Sequence, residues 1–259
     1  MKKSLLSLLA IAALAFSANA ATNMCVKQKN GVVTRYDVDD VEEVYYEEKV
    51  VENDVSVSGK VGTYTYVDLG LQSGLKWATY NLGAEKPTDY GDYYAWGETE
   101  PKDSYSWDTY KWCKNGSSTQ LTKYSDTATY GLKDDKNVLD LEDDAAAVNW
   151  GGTWRMPTTS EQRELLDGCT WTWMVDFNGT NVSGMYGKSK TNGNTIFLPA
   201  AGRYDGLDLF LANDFGNYWA STTYDYLPTN VFFLYFDHSL ISWSNLNRFL
   251  GLNIRAVSK

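Results

Sequence analysis

His238 is the single histidine of the chain, which removes most imidazole chemistry at a stroke. A three-histidine zinc site is impossible, and a triad that needs a histidine base has to use this one. Asp225 could pair with it as a dyad, but no serine or cysteine sits in a recognisable nucleophile elbow. The three cysteines, Cys25, Cys113 and Cys169, form no C-x-x-C, so the spacing offers neither a metal nor a redox motif. An exported context permits a Cys113–Cys169 disulfide, with Cys25 left odd. Glu161 and Glu164 lie one helical turn apart, a spacing that suits a helix cap and a solvated face. The run Asp134-Asp135, Asp140, Glu142-Asp143-Asp144 is dense in the oxygen donors that calcium takes. Acids also collect at helix N-termini, and the run is read that way. No catalytic residue, metal ligand or cofactor is expected.

The 259 residues carry 33 acidic and 23 basic side chains, a net charge of −10. That balance leaves no basic stripe for a phosphate backbone and excludes nucleic acid as a partner. Met1-Lys2-Lys3, the apolar run Leu5–Phe16 and Ala18-Asn19-Ala20 read as a secretory signal peptide over residues 1–20. Its removal takes two lysines and leaves −12. The mature chain is therefore expected to be exported, to the extracellular space, the cell surface or the periplasm. Cys25 follows Thr22-Asn23-Met24, which is no lipobox, and no later stretch approaches the ~18 apolar residues of a membrane helix. Neither a lipid anchor nor a transmembrane segment is expected. The chain holds 10 Trp and 19 Tyr, enough to supply a core and also a wet contact surface.

These side chains must be positioned by short elements. Residues 21–49 read as a small N-terminal β-rich segment. Met24–Lys29 and Val32–Val38 flank the hairpin signal Asn30-Gly31, and Val41–Tyr46 follows as a third strand. Such a unit is marginal alone and should pack on a larger domain or a partner. Residues 50–62 read as a linker. From 63 to 259, strands are predicted at Tyr64–Leu69, Lys76–Tyr80, Tyr93–Trp96, Thr195–Leu198, Tyr218–Ser221, Val231–Phe236 and Leu252–Val257. Two helices stand out: Asp140–Trp150, and a second capped by Thr158 or Thr159 that stops at Gly168, with Glu161 in the capping-box position. Few helices followed by a β-rich C-terminal half indicate an α+β fold.

Several strings carry a family resemblance. They include Lys76-Trp77-Ala78-Thr79, Asp92-Tyr93-Tyr94-Ala95-Trp96-Gly97-Glu98, Asn149-Trp150-Gly151-Gly152-Thr153-Trp154-Arg155-Met156-Pro157-Thr158 and Leu198-Pro199-Ala200-Ala201-Gly202. Gly251-Leu252-Asn253-Ile254-Arg255-Ala256-Val257 completes the set. Over about residues 64–259 the chain closely resembles the Fibrobacter succinogenes major paralogous domain of exported Bacteroidetes proteins. The Arg155-Met156-Pro157-Thr158 string and the Asn217-Tyr218-Trp219 string also resemble the formylglycine-generating-enzyme type of C-type-lectin fold. That likeness implies a C-type-lectin-like α+β domain with two main helices and a small twisted antiparallel sheet, preceded by the N-terminal β-hairpin unit.

Fold alone does not carry function. Formylglycine-generating enzymes work through C-terminal cysteines, and this chain has none after Cys169. The Glu-Pro-Asn and Trp-Asn-Asp tripeptides of calcium-dependent sugar binding are missing as well. A binding face of side chains alone remains. Tyr226, Phe232, His238, Leu240, Trp243, Leu246 and Phe249 mix large apolar groups with turn formers, which on an exported protein suggests an exposed patch. The resemblance adds the variable proteins of diversity-generating retroelements, whose C-terminal loops are diversified to bind new ligands. The leading expectation is a secreted or surface-displayed recognition module for a glycan or protein ligand. The alternative is a structural or adhesive subunit whose residues 24–48 join a surface assembly by strand addition.

Overall fold

The computed structural model describes residues 23–27, 31–41 and 54–259, in two units split at Val50/Val51. The first unit holds β1 (Asn23–Lys27) and β2 (Val33–Asp37), paired antiparallel with Cys25 opposite Arg35. Val26, Val33, Tyr36 and Val38 stand exposed on it. The signal peptide, the hairpin turn at 28–30 and the third strand expected beyond Val41 lie outside the described residues.

In the second unit β3 (Gly59–Val61), β4 (Tyr64–Asp68) and β5 (Lys76–Ala78) form a meander. β3 falls inside the segment expected to be a linker. Irregular chain with single 3-10 turns leads to α1 (Ala145–Trp150) and α2 (Thr159–Gly168). β6 (Cys169–Met174) continues directly from α2 and pairs with β7 (Gly184–Ser189), which pairs with β8 (Thr195–Pro199). A short hairpin, β9 (Arg203–Asp205) and β10 (Asp208–Phe210), comes next. β11 (Gly216–Thr223), β12 (Asn230–Phe236) and β13 (Ile241–Asn247) make a three-stranded antiparallel sheet with β12 central. Finally β14 (Val257–Ser258) returns to β5 and closes the four-stranded order β14-β5-β4-β3.

This architecture corrects the expected fold. Of the described residues 36% are strand and 14% helical, spread over several small sheets. The chain is mostly β, and the α+β, C-type-lectin-like plan with two main helices does not describe it. One helix fails for a local reason. Asp144 turns its carboxylate onto the N–H groups of Ala146 (2.9 Å) and Ala147 (3.2 Å), which fixes the helix start there. Leu141–Asp143 is left as one 3-10 turn, and α1 has only six residues. The second helix forms as its capping chemistry demands: Thr158 caps it, and Glu161 reaches back to the Thr158 N–H at 2.8 Å. Arg155 then clamps the same Glu161 carboxylate with two hydrogen bonds, of 2.7 and 2.5 Å.

β11 and β12 are buried on both faces, while β13 is only partly buried. Val231, Phe233 and Trp219 point into a core with Trp96, Tyr124, Trp154 and Leu252. Leu234, Phe236 and Tyr218 point into a second core with Val67, Trp77, Leu165, Ile196 and Leu198. Alternation along one strand thus splits its side chains between two interiors, which explains why the run Val231–Phe236 is continuously apolar. Arg248 and Arg255 are buried too, and their guanidinium groups donate mainly to backbone carbonyls. All three cysteines are free, so the Cys113–Cys169 disulfide is not made. Among the described residues no helix is long and apolar enough to cross a membrane.

Candidate functional site

The turn between β11 and β12 forms one wall of a concavity. Tyr224–Asn230 closes on itself through Leu227 N–H to the Tyr224 carbonyl (3.2 Å) and Asn230 N–H to the Leu227 carbonyl (2.8 Å). Facing it is the loop 134–138, tied to β11 by Thr223 N–H to the Asn137 carbonyl at 2.9 Å. Between them lies a cleft of about 130 Å³, walled by Tyr124, Tyr224 and Pro228 and rimmed by Asp126, Asp135, Lys136, Asn137 and Asp225. Such a volume takes one ring or one terminal group, not a whole drug-sized ligand.

The far wall is held under strain. Tyr124 (φ 61°) and Asp135 (φ 55°) both adopt left-handed backbone, a conformation that non-glycine residues keep only when their surroundings impose it. The Asp134 carboxylate imposes it here, accepting from Tyr124 N–H (2.7 Å) and Ser125 N–H (3.0 Å). Arg248 braces the same region from inside. Its guanidinium donates to the carbonyls of Lys123 (3.1 Å) and Tyr124 (2.9 Å) and to that of Pro228.

Tyr226, in the same turn as the cleft-lining Tyr224, Asp225 and Pro228, has 86% of its surface exposed. Its ring leans on Tyr224 at 5.5 Å, and Tyr224 meets Phe232 edge-on at 5.2 Å. This row leads an aromatic face from solvent down to the sheet, with the carboxylates of Asp126 and Asp225 beside it. The chemistry on offer is stacking on a ring and hydrogen bonding to hydroxyl, amide or amine groups.

The remaining expected residues do not gather here. His238 and Leu240 belong to the β12–β13 turn, at the other end of a seven-residue strand, roughly 20 Å away at the usual strand rise. Asp225 and His238 therefore form no dyad. Leu240 is 49% exposed and His238 is exposed. Trp243 is half-buried on the α2 side of the sheet, under the Arg163 guanidinium at 4.6 Å. Leu246 is half-buried against the first core, on the opposite face. Phe249 packs edge-on against Trp107 at 5.1 Å. The seven residues line no single patch: Tyr226 and Phe232 share one end, His238 and Leu240 the other, and Leu246 and Phe249 are partly core. Sequence reasoning missed Tyr224, Asp126, Asp135 and Asn137. The aromatic–acid–aromatic string Tyr224-Asp225-Tyr226 between two strands was the available signal.

The acidic run is resolved differently from a solvated helix N-terminus. Carboxylate oxygens of Asp140, Glu142 and Asp143 lie within 4.8 Å of one another, and the Lys123 ammonium sits among them at 3.1, 3.0 and 2.5 Å. Burial would lower the Lys123 pKa, but its hydrogen bonds to Asp143, Glu142 and Asp140 hold it well above the usual lysine range. The side chain fills the position a cation would take.

Comparison of the chain with protein-family models, with curated proteins and with solved structures finds no match.

Proposed function

We propose that this chain is an exported, non-enzymatic recognition module that grips one end of a glycan or protein ligand in the cleft beside Tyr226. Membership of the Fibrobacter succinogenes major paralogous family is part of the same proposal and rests on the strings quoted above. The observation that carries the reading is the pairing of an 86% exposed tyrosine with a strained, acid-rimmed cleft. A tyrosine that open buries little surface in the fold beyond its contact with Tyr224, whereas stacking on a ligand ring would use both its face and its hydroxyl. The test is a glycan-array and protein-array screen of the mature chain against Tyr226→Ala and Asp225→Asn. The reading requires captured ligands that both variants lose at unchanged Tm. Capture that survives both substitutions, or no capture on either array, would overturn it.

A second reading is a structural or adhesive subunit of a surface assembly, favoured by the exposed valines and tyrosine of the β1–β2 hairpin. Two strands showing that much apolar surface are marginal in water and gain from joining a neighbour's sheet. Deletion of residues 21–49 would then abolish assembly while leaving ligand capture intact.

A further inference from the structure

We propose that the β9–β10 hairpin is a docking edge for an extended polypeptide of alternating apolar and basic residues, which adds to β10 as a third strand. Leu207 is 73% exposed, and Leu209, Phe210 and Leu211 are 39, 43 and 43% exposed. Four large apolar residues within five positions of one hairpin are exposed on its two faces, a local concentration of the kind that marks an interaction site. Turn positions usually go to polar residues, and Leu207 occupies one directly after Gly206. The backbone is also strained to keep this display. Leu211 adopts φ 60°, a left-handed conformation that a leucine facing water does nothing to repay. Its carbonyl is pinned by the N–H groups of Asp214 (3.2 Å) and Phe215 (3.0 Å).

The hydrogen-bonding edge is open on the same element. Tyr204 exchanges both backbone bonds with Gly251, at 2.8 and 3.0 Å, on the far side of β9. Its β10 partner is Leu209. In an antiparallel ladder the two residues of such a pair turn their N–H and C=O groups away from each other, so those of Leu209 face the free edge. An incoming strand would find main-chain partners there, with apolar side chains to either side. That is the pattern of recognition by strand addition.

Charge selects the occupant. Asp205, Asp208 and Asp214 are exposed on this hairpin and just after it, and none makes a salt bridge among the described residues. Arg203, half-buried, is the only basic residue between 203 and 215. A basic partner gains attraction along this rim, whereas a second copy of a chain with net charge −10 would bring like charges together. An anionic lipid surface is repelled for the same reason.

The experiment is fluorescence anisotropy of the mature full-length chain with a labelled Lys-Val-Lys-Val-Lys-Val-Lys peptide. Three comparisons accompany it: a Val-Val-Val-Lys-Lys-Lys-Lys peptide, a peptide N-methylated at alternate amides, and the variants Leu207→Ser and Leu209→Ser/Phe210→Ser. The proposal expects saturable binding that weakens with salt, and at least tenfold weaker binding for both altered peptides and for the double variant. Leu207→Ser, at a tip where burial is slight, should weaken binding with Tm unchanged, so a folding defect in the double variant would not hide the result. Equal binding of all three peptides would reduce the effect to charge, and no binding at all would also overturn the proposal. Concentration-dependent dimerisation abolished by Leu207→Ser would assign the patch to a second copy. Vesicle binding abolished by that substitution would assign it to lipid.

Discussion

The Lys123 ammonium lies 2.5 Å from the Asp143 carboxylate, and only 3% of Asp143 is exposed. This contact places a protein cation among the acids of a cluster that resembles a calcium site, and Lys136 adds a second on Asp140 at 2.5 Å. Removing the lysine leaves the buried Asp143 carboxylate next to Asp140 and Glu142 with no counter-charge, held only by the Tyr124 hydroxyl. Lys123→Ala should therefore lose roughly 3 kcal/mol. Calcium should recover part of that loss in the variant, while the Tm of the wild type responds to neither calcium nor chelator. Thermal melts of both proteins with and without calcium decide it; a wild type stabilised by calcium would contradict the assignment.

Arg248 links the first core to the cleft by donating to three carbonyls from a fully buried position. Arg248→Met keeps the bulk but orphans those acceptors, and should lower stability by about 3 kcal/mol. Arg248→Lys should recover little, because one ammonium cannot reproduce the planar fork. Urea midpoints would show both effects; a stable lysine variant would mean that charge, not geometry, is what this site needs.

Asp237 organises the β12–β13 turn by accepting from Ser239 N–H (2.7 Å), the Ser239 hydroxyl (2.7 Å) and Leu240 N–H (3.0 Å). The Ser239 N–H bond is the main cause that lowers its pKa from 3.8 to about 2. Because the folded value lies below the unfolded one, the stabilisation is complete above about pH 4 and is lost as pH falls towards 2. The wild type should be more stable than Asp237→Asn at pH 6, and the gap should close between pH 4 and 2. A gap that stays constant with pH would show that the carboxylate charge is idle.

Gly216 leaves its missing side chain to the Phe236 ring. A Cβ there would sit 1.9 Å from the ring tip. Gly216→Ala should cost about 1–3 kcal/mol by overpacking. Phe236→Leu should relieve part of that cost, giving a coupling well outside additivity in a double-mutant cycle. Additive effects would locate the strain elsewhere.

The sequence is most legible where forces are short-ranged. Thr158 and Glu161 announce α2 because a capping box closes within four residues, and the Val231–Phe236 run announces β12. By contrast β13 holds Ser242, Ser244, Asn245 and Asn247 among three large apolar residues, a composition that reads as a loop. It is a strand because β12 supplies its hydrogen bonds from one side. The site follows the same division. Exposure at Tyr226 and Leu240 follows from their places in turns, whereas Leu246 and Phe249 face cores that no local pattern reveals. The cleft itself joins residues 124–137 to 223–228, and Arg248 braces it from another part of the chain, so nothing in either stretch alone discloses it.

The central strand of the β11-β12-β13 sheet gives alternate side chains to two interiors, and this ties their fates together. Loosening Leu234 or Phe236 on one side shifts the backbone that carries Val231 and Phe233 on the other. Neither half can melt while its counterpart stays ordered. Residues 51–259 should therefore unfold in one calorimetric transition, with van't Hoff and measured enthalpies equal. Damage on either side of that strand is shared by the whole unit.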